Sequence, residues 1–327
     1  MLKNKIKMLA LSTIIITGTI GLGGCGKKTE VVNLEDDFKV TLILDEGGVN
    51  DQSFNQSAWE GAKLARKEYD GVEVSYIESK QESEYISNIE TAIDNESDLI
   101  IGVGFKLTSA IEESAKSYPD KQFAIVDGSF ENGTPKNVTP ILFNEEQSGY
   151  LVGLVAAKTT QTNKVGFVGG MEIPSVTNFL IGYEKAVKEV NPEIEVISQY
   201  ANSFTDSAKG KAIGSQMYAG GADIIFTAGG GVNSGIYESA REFNKKAIAV
   251  DMPSSYIAPD VILTSALKNV GNGVRLTINE AMNERLVGGK ASIFDINNGG
   301  VDFERTNLID LDTIKFIENK IKELKNK

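Results

Sequence analysis

From Phe38 onward, continuous apolar runs alternate with segments whose apolar residues recur at helical spacing. The first unit joins the strand-like run "FKVTLIL", which ends at Asp45, to the helical stretch "SAWEGAKLARKEY". The same unit recurs through "SDLIIGVG" and "QFAIVDG", and a second series of units begins at "NKVGFVGG". Continuous apolar strands separated by helices are typical of buried parallel sheets. The pattern predicts two α/β halves, each built on a doubly wound parallel sheet.

The pattern before Phe38 is different. Three Lys within the first seven residues precede the apolar run Met8–Leu22, which is followed by "GGC" ending at Cys25. The run is shorter than the roughly 20 residues of a membrane span, and small residues before a Cys resemble a bacterial lipobox. This predicts a lipoprotein signal peptide over residues 1–24 and lipidation of Cys25 at the extracytoplasmic face of the cell membrane. The alternative is an ordinary signal peptide with an incidental Cys. The polar, aperiodic residues 25–37 are predicted to be a tether.

The composition of the 327-residue chain excludes several classes of function. Its 45 acidic and 33 basic side chains give a net charge of -12, which disfavours nucleic acid as a partner. The chain has no His, so imidazole general bases and His-ligated zinc are excluded. With Cys25 as its single Cys, it can form neither an intrachain disulfide nor a Cys-Cys metal site.

Several predicted strands end in a polar residue or in glycine. Asp45, Asp127 and Asp251 each follow an apolar run, and Gly230 and Gly231 lie in the glycine turn after "IIFTA". A single Asp in such a place is more often a helix cap or a turn former. Ligands of open α/β sheets, however, bind at the carboxyl ends of strands. Three Asp side chains converging there, with glycines between them, predict a ligand cleft.

The residues around the predicted cleft favour a polyol or a heterocycle over a metal ion. The carboxylates lack the close spacing of a calcium loop, but they can accept hydrogen bonds from sugar hydroxyls and ring N–H groups. In the loop from Asp45 to Ser53, called the opening loop below, Asp51 or Ser53 can cap the helix that begins near Phe54. The ring of Phe54 is a candidate ligand contact. Asn55 either orients its neighbours or contacts ligand. By its own surroundings, Phe226 is a core residue.

Several long motifs resemble those of the basic membrane protein family, the lipoprotein substrate-binding components of ABC importers that include bacterial purine nucleoside receptors. The motifs that carry the resemblance are "DEGGVNDQSFNQSAWEG", "NEEQSGYLVGLVAAKTT", "KVGFVGGMEIPSV", "YANSFTDSAKGKAIGSQMYAGGADIIF" and "ILTSALKNVG". The resemblance implies a two-lobed fold like that of type I periplasmic binding proteins, with hinge crossovers between the lobes. It implies no enzymatic activity, no cofactor and no metal. The implied partners are an ABC permease and its ATPase subunits.

The resemblance also implies where the lobes divide and where the base of a nucleoside binds. Residues 38–142 plus about 268–295 would form the N-terminal lobe, and residues 143–267 plus about 296–327 the C-terminal lobe. The base would lie between two aromatic rings and donate hydrogen bonds to acidic side chains. The aromatic residues are Phe54 and Phe226, with Phe204 in reserve, and the acidic residues are Asp45 and Asp127.

The ribose would be held by Asp251 and Lys268, and the backbone of Gly230 or Gly231 would contact the ligand. Relatives commonly continue the ribose-binding Asp with a second acid and an amide, whereas this chain reads "VDMPSS" from Val250 to Ser255. That departure leaves sugar recognition open. The leading hypothesis is a lipid-anchored protein that captures a nucleoside such as inosine, guanosine or adenosine. The alternatives are another small ligand, a sensory module of the same fold and, less favoured, a nucleoside hydrolase.

Overall fold

The computed structural model describes residues 37–326, which form two six-stranded sheets flanked by helices. The strands are β1 (Phe38–Leu44), β2 (Val72–Glu78), β3 (Leu99–Val103), β4 (Gln122–Val126), β5 (Val138–Phe143), β6 (Lys164–Gly169), β7 (Glu195–Tyr200), β8 (Ile224–Ala228), β9 (Lys246–Asp251), β10 (Ile262–Lys268), β11 (Ser292–Phe294) and β12 (Val301–Phe303). The α-helices are α1 (Phe54–Glu68), α2 (Tyr85–Asp94), α3 (Thr108–Ser117), α4 (Glu145–Thr159), α5 (Pro174–Val190), α6 (Ser207–Ala219), α7 (Val232–Glu242), α8 (Val270–Met282) and α9 (Leu311–Lys325).

The two sheets have the same strand arrangement. The first has the order β11-β5-β4-β3-β1-β2 and the second the order β12-β10-β9-β8-β6-β7. All pairs in the first sheet are parallel. In the second sheet β12 runs antiparallel to β10, so one short edge strand departs from the predicted all-parallel arrangement. The prediction of two parallel-sheet α/β lobes is confirmed.

The central strands are buried because helices cover both faces of each sheet. Every residue of β3 and of β8 is buried, which explains why these strands read as continuous apolar runs. The edge strands β2 and β7 instead carry several exposed residues. Each lobe therefore has its own hydrophobic core, with side chains packed on both sides of the sheet.

The chain passes between the two sheets at three places that lie close together. These are Asn144 between β5 and α4, Asn269 between β10 and α8, and residues 295–300 between β11 and β12. The backbone N–H of Asn144 donates to the carbonyl of Phe294 at 2.9 Å, and that of Asn269 donates to Gly300 at 2.8 Å. Three adjacent crossings give a fold that can bend as a hinge. The lobe boundaries at 142, 268 and 295 stay a prediction.

The predicted signal peptide, the lipidation site Cys25 and nearly all of the tether lie outside the described residues. Within residues 37–326, no helix combines the length and the apolar character needed to cross a membrane.

Candidate functional site

A cavity lies between the carboxyl ends of the strands of the two sheets. Its volume is about 90 Å³, several times the roughly 15 Å³ that one water molecule needs on the same measure. Both lobes contribute to it, as expected for a ligand cleft between domains. The residues that line it are Asp45, Gly47, Asp51, Phe54, Asn55, Gly104, Phe105, Asp127, Ile173, Ser175, Val176, Phe179, Phe204, Ala228, Gly230, Val250, Asp251 and Lys268.

The opening loop of the first lobe is ordered by Asp51. Its carboxylate accepts hydrogen bonds from the backbone N–H groups of Ser53 at 2.9 Å, Asn55 at 2.8 Å and Gln56 at 3.0 Å. These are N–H groups that the first turn of α1 leaves without helical partners. Of the two predicted capping residues, Asp51 therefore supplies the side-chain bonds, and the Ser53 side chain makes no capping bond. The loop is fixed so that Phe54 and Asn55 face the cavity.

Asp45, at the end of β1, positions Asn55. Its Oδ1 accepts from Nδ2 of Asn55 at 2.7 Å and from the backbone N–H of Gly47 at 3.0 Å. Asn55 is 2% exposed, and its Oδ1 has no hydrogen-bond partner among the described residues. Burial raises the pKa of Asp45 above its ordinary value, although the bonds from Asn55 and Gly47 oppose the shift. The backbone of Gly104 lies close to this carboxylate: a Cβ at Gly104 would be 3.2 Å from Oδ2 of Asp45.

Asp127 and Asp251 occupy matching places in the two lobes. Each follows or ends an inner strand, β4 or β9, and each has a left-handed backbone conformation, with φ of 61° at Asp127 and 68° at Asp251. Side chains other than glycine seldom adopt this conformation, and such strain is concentrated at functional sites. Burial raises the pKa of Asp127 to about 7 and that of Asp251 to about 6, although Lys268 opposes both shifts. The Oδ1 atom of Asp127 is buried and has no partner in the described part of the chain.

Lys268 is the cation between these carboxylates, and its side chain is 2% exposed. Its Nζ lies 2.5 Å from Oδ2 of Asp127 and 2.9 Å from Oε1 of Glu145. Burial lowers the pKa of Lys268, but Asp127, Glu145 and Asp251 more than offset this and raise it above the ordinary value. The Nζ atom also lies 5.4 Å from the ring centroid of Phe54, within cation–π range.

In addition to the bond from Lys268 to Asp127, a second hydrogen bond joins the lobes beside the cavity. Ser53, which is 2% exposed and precedes α1 in the first lobe, donates from its hydroxyl to Oδ2 of Asp251 in the second lobe. Farther along the "VDMPSS" segment, the backbone N–H groups of Ser254 and Ser255 donate to Glu304 at 3.1 and 3.2 Å. Neither of these two Ser lines the cavity, so Asp251 is the polar side chain that this segment presents to a ligand.

The structure contradicts the placement of Phe226 in the site. Its ring is 0% exposed and packs against Phe167, Phe179 and Tyr183, with ring centroids 5.3, 5.8 and 5.4 Å away. It does not line the cavity, because β8 continues for two more residues and Ala228 is the one that reaches the cleft. Phe226 is a core residue, as its surroundings in the sequence predict.

The reserve aromatic, Phe204, does line the cavity. Its ring lies 6.5 Å from that of Phe105, which reaches across from the first lobe. The ring also lies over Gly170, where a Cβ would come within 2.4 Å of Cε1 of Phe204. The two glycines of the predicted turn have different positions. Gly230 lines the cavity, whereas Gly231 does not, and its backbone N–H donates instead to the carbonyl of Phe204 at 2.8 Å.

Sequence reasoning missed Phe105, Phe179 and Glu145. Phe105 directly follows Gly104, the glycine at the end of the predicted strand "LIIGV", and this position at a strand end indicates a cleft residue. Phe179 lies in an amphipathic helix and gave no such signal. Glu145 begins α4 directly after the capping residue Asn144, where an acid is expected at any helix start. Within residues 37–326, no group of acidic side chains is arranged to hold a metal ion.

Comparisons with known proteins agree with this architecture. The family profile described as "Bmp: ABC transporter substrate-binding protein PnrA-like" matches residues 38–327. A "CD4+ T-cell-stimulating antigen" of Listeria monocytogenes is 44% identical over 75% of this chain and 70% of its own length. The "ABC transporter nucleoside-binding protein BmpA" of Lactococcus lactis subsp. cremoris is 35% identical over 91% of each chain. The crystal structure of an ABC transporter solute-binding protein from Aeropyrum pernix superimposes with a TM-score of 0.80 at 25% identity, covering 88% of this chain and 91% of that one.

These matches span both lobes and the cleft between them, and the proteins that they identify bind substrates and are not enzymes. The chain belongs to the Bmp family of PnrA-like ABC transporter substrate-binding proteins.

Proposed function

We propose that this substrate-binding protein captures nucleosides, with a preference for purine nucleosides, and delivers them to an ABC permease. The observation that carries the proposal is a pair of buried acceptor atoms beside aromatic rings. Oδ1 of Asn55 and Oδ1 of Asp127 have no hydrogen-bond partner among the described residues. A buried acceptor without a partner costs about 1–3 kcal/mol, so a ligand that donates N–H or O–H groups there would remove that cost. The relative from Lactococcus lactis, named as a nucleoside-binding protein, supports this choice.

The aromatic residues of the cavity support binding of a flat base. Phe54 comes from the first lobe and Phe204 from the second, and both rings line the cavity and are partly exposed. A base between them would stack on both lobes at once, and each stacking contact is worth about 1–3 kcal/mol. A two-ring base offers the larger flat face, which is the reason for proposing purines. Asp45, Asn55 and Asp127 would then bind the base edge.

The second lobe and the hinge would hold the ribose. Asp251 is an acceptor for sugar hydroxyls, and Lys268 is a donor for sugar oxygens. The backbone of Gly230, whose φ of 58° favours glycine, lies beside them in the lining. This assignment predicts that Asp251→Ala weakens the binding of inosine much more than that of hypoxanthine, which has no ribose. Equal losses for the two ligands would refute the ribose assignment.

Capture would work by closure of the lobes. The bond from Ser53 to Asp251 and the ring contact between Phe105 and Phe204 both connect one lobe to the other. Such contacts form only when the lobes approach, and a ligand that touches both sides stabilises the closed state by its differential affinity. Ligand release to a permease would then require the lobes to separate.

The proposal includes anchoring of the protein through a lipid on Cys25. The support for it is the sequence before Cys25, which lies outside the described structure. A Cys25→Ser variant should appear in the culture medium or the soluble fraction, whereas the parent protein should sediment with membranes. An unchanged distribution of the variant would exclude lipid anchoring at this residue.

Calorimetric titration tests the ligand. Purified protein, freed of bound small molecules by unfolding and refolding, is titrated with inosine, guanosine and adenosine, and with uridine and ribose for comparison. We expect the three purine nucleosides to bind more tightly than uridine, and ribose not to bind measurably. Mass spectrometry of the small molecules released in the unfolding step identifies what the protein carried. A protein that binds ribose but no nucleoside would refute the proposal.

A further inference from the structure

Glu145 lies at the cavity's edge without lining it. It is the first residue of α4, directly after the crossing at Asn144, and it is 3% exposed. Its Oε1 accepts from Nζ of Lys268 at 2.9 Å, and its Oε2 accepts from Nδ2 of Asn178 at 3.3 Å. These two bonds fix the direction of the carboxylate. The first turn of a helix also stabilises a negative charge.

Lys268 connects Glu145 to the ligand site. It is the last residue of β10, so it directly precedes the second crossing of the chain, at Asn269. On one side its ammonium group binds Glu145, and on the other it binds Asp127 of the first lobe. Glu145 therefore ties two adjoining crossings together through a side chain that does line the cavity.

We propose that Glu145 is a positioning residue for ligand binding: it holds Lys268 from outside the cavity and, by sharing its ammonium group, limits how strongly Lys268 stabilises the charge of Asp127. The inference rests on the proposed function for its effect on nucleoside affinity. Its effect on Asp127 is a property of the protein without ligand.

The charges around Asp127 explain this effect. Asp127 faces Lys268 from β10, Glu145 from α4 and Asp251 from the end of β9, and Asp251 in turn faces Asp51 in the opening loop. One buried ammonium group thus serves several carboxylates. Burial raises the pKa of Asp127 most strongly, Lys268 lowers it, and the charge of Glu145 raises it again.

The ionisation of Asp127 matters because its free Oδ1 is the atom proposed to receive a hydrogen bond from the ligand. A carboxylate is a stronger acceptor than a carboxylic acid. Without the negative charge of Glu145, Lys268 would stabilise the charge of Asp127 more strongly, and Asp127 would stay ionised to lower pH. The substitution Glu145→Gln makes this change while preserving the shape of the side chain.

The first experiment measures the dissociation constant of inosine from about pH 5 to 8 for the parent and for two variants. Glu145→Gln removes the buried charge. Glu146→Gln is the matched control, because this neighbouring acid is 46% exposed and pairs with Lys185 at 2.9 Å. We expect affinity to fall on acidification in the parent, and the midpoint of that fall to move down by about one pH unit in Glu145→Gln. Glu146→Gln should follow the parent curve. A loss of affinity in Glu145→Gln by the same factor at every pH would overturn the proposal, because it would indicate a structural role alone.

The second experiment needs no ligand. The carboxyl group of Asp127 is titrated by NMR in protein labelled with ¹³C-aspartate, and its signal is assigned from the Asp127→Asn variant. A lower midpoint in Glu145→Gln supports the proposal, and an unchanged midpoint overturns it. If no nucleoside binds to the parent, the proposed function fails while this titration still decides the inference. Should Glu145→Gln fail to fold, Glu145→Asp replaces it, since the shorter side chain moves the carboxylate away from Lys268 and should shift the midpoint in the same direction by less.

Discussion

Replacing Phe204 and Phe226 separately by Ala should separate a ligand contact from a core residue. The two rings come from the same lobe and were both candidates for the same role. Phe204 lines the cavity and is partly exposed, whereas Phe226 is 0% exposed and surrounded by other aromatic rings. The structure therefore predicts opposite effects of the two substitutions on ligand affinity and on stability.

The expected magnitudes follow from these surroundings. Loss of one stacking contact of about 1–3 kcal/mol corresponds to a roughly 5- to 150-fold weaker dissociation constant for Phe204→Ala. The free energy of unfolding should change less than in Phe226→Ala, because the ring of Phe204 packs against the core but is partly exposed. For Phe226→Ala, removal of a fully buried ring should lower the free energy of unfolding by about 3–5 kcal/mol. The folded fraction of that variant should bind nucleoside within about threefold of the parent.

Two measurements on the same samples test this prediction. Urea unfolding of the ligand-free protein gives the free energy of unfolding, and calorimetric titration with inosine gives the affinity. Phe54→Ala serves as a positive control, since this ring also lines the cavity. If Phe226→Ala remained folded but lost as much affinity as Phe204→Ala, the assignment of Phe226 to the core alone would be wrong.

Three further substitutions test other contacts of the site. Ser53→Ala removes one of the hydrogen bonds between the lobes, and because bonds to charged groups contribute about 1.5–3 kcal/mol, stopped-flow measurements should show nucleoside dissociating at least about tenfold faster. Gly170→Ala should displace the ring of Phe204, whose Cε1 would lie 2.4 Å from the new Cβ; titration should show weaker binding, and an unchanged affinity would contradict the stacking role. Asp251→Asn should stabilise the ligand-free protein increasingly as pH rises. Burial raises the pKa of Asp251 from 3.8 to about 6, so the folded state keeps a proton that the unfolded state releases. The stability contributed by that proton is lost between about pH 4 and 6, by up to about 3 kcal/mol. Melting temperatures of parent and variant should diverge over this range, and a constant difference would refute the reasoning.

The elements of the fold and the acidic residues of the site could be predicted because their signals are local. Parallel strands buried on both faces are mostly apolar, so a strand end is often visible as the first acidic residue or glycine after the run. Asp45, Asp127 and Asp251 were found in this way, and all three line the cavity. The helix start at Phe54 was visible because the preceding loop carries capping residues.

The aromatic residues could not be predicted in the same way. Alternation along β8 shows that Phe226 and Ala228 share a face, but not how far the neighbouring helix covers that face. Phe226 lies two residues before the strand end and is covered by the rings of α5. Phe204 lies in a loop, and its position depends on a hydrogen bond from Gly231 and on the space above Gly170. Both are contacts between distant parts of the chain, which no local pattern records.

The matching positions of Asp127 and Asp251 give a reason why Glu145 would be needed to position Lys268. Two lobes of the same design each bring one buried, left-handed Asp to the cleft, and both Asp lie near the single ammonium group of Lys268. If Lys268 were free to move towards either Asp, it would stabilise the charge of that Asp more and the charge of the other one less. Anchoring Lys268 from a third direction, at the chain crossing, removes that freedom. The buried Oδ1 of Asp127, which has no partner among the described residues, then stays in place to accept a hydrogen bond from a ligand. A ligand that contacts both lobes favours the closed state over the open one.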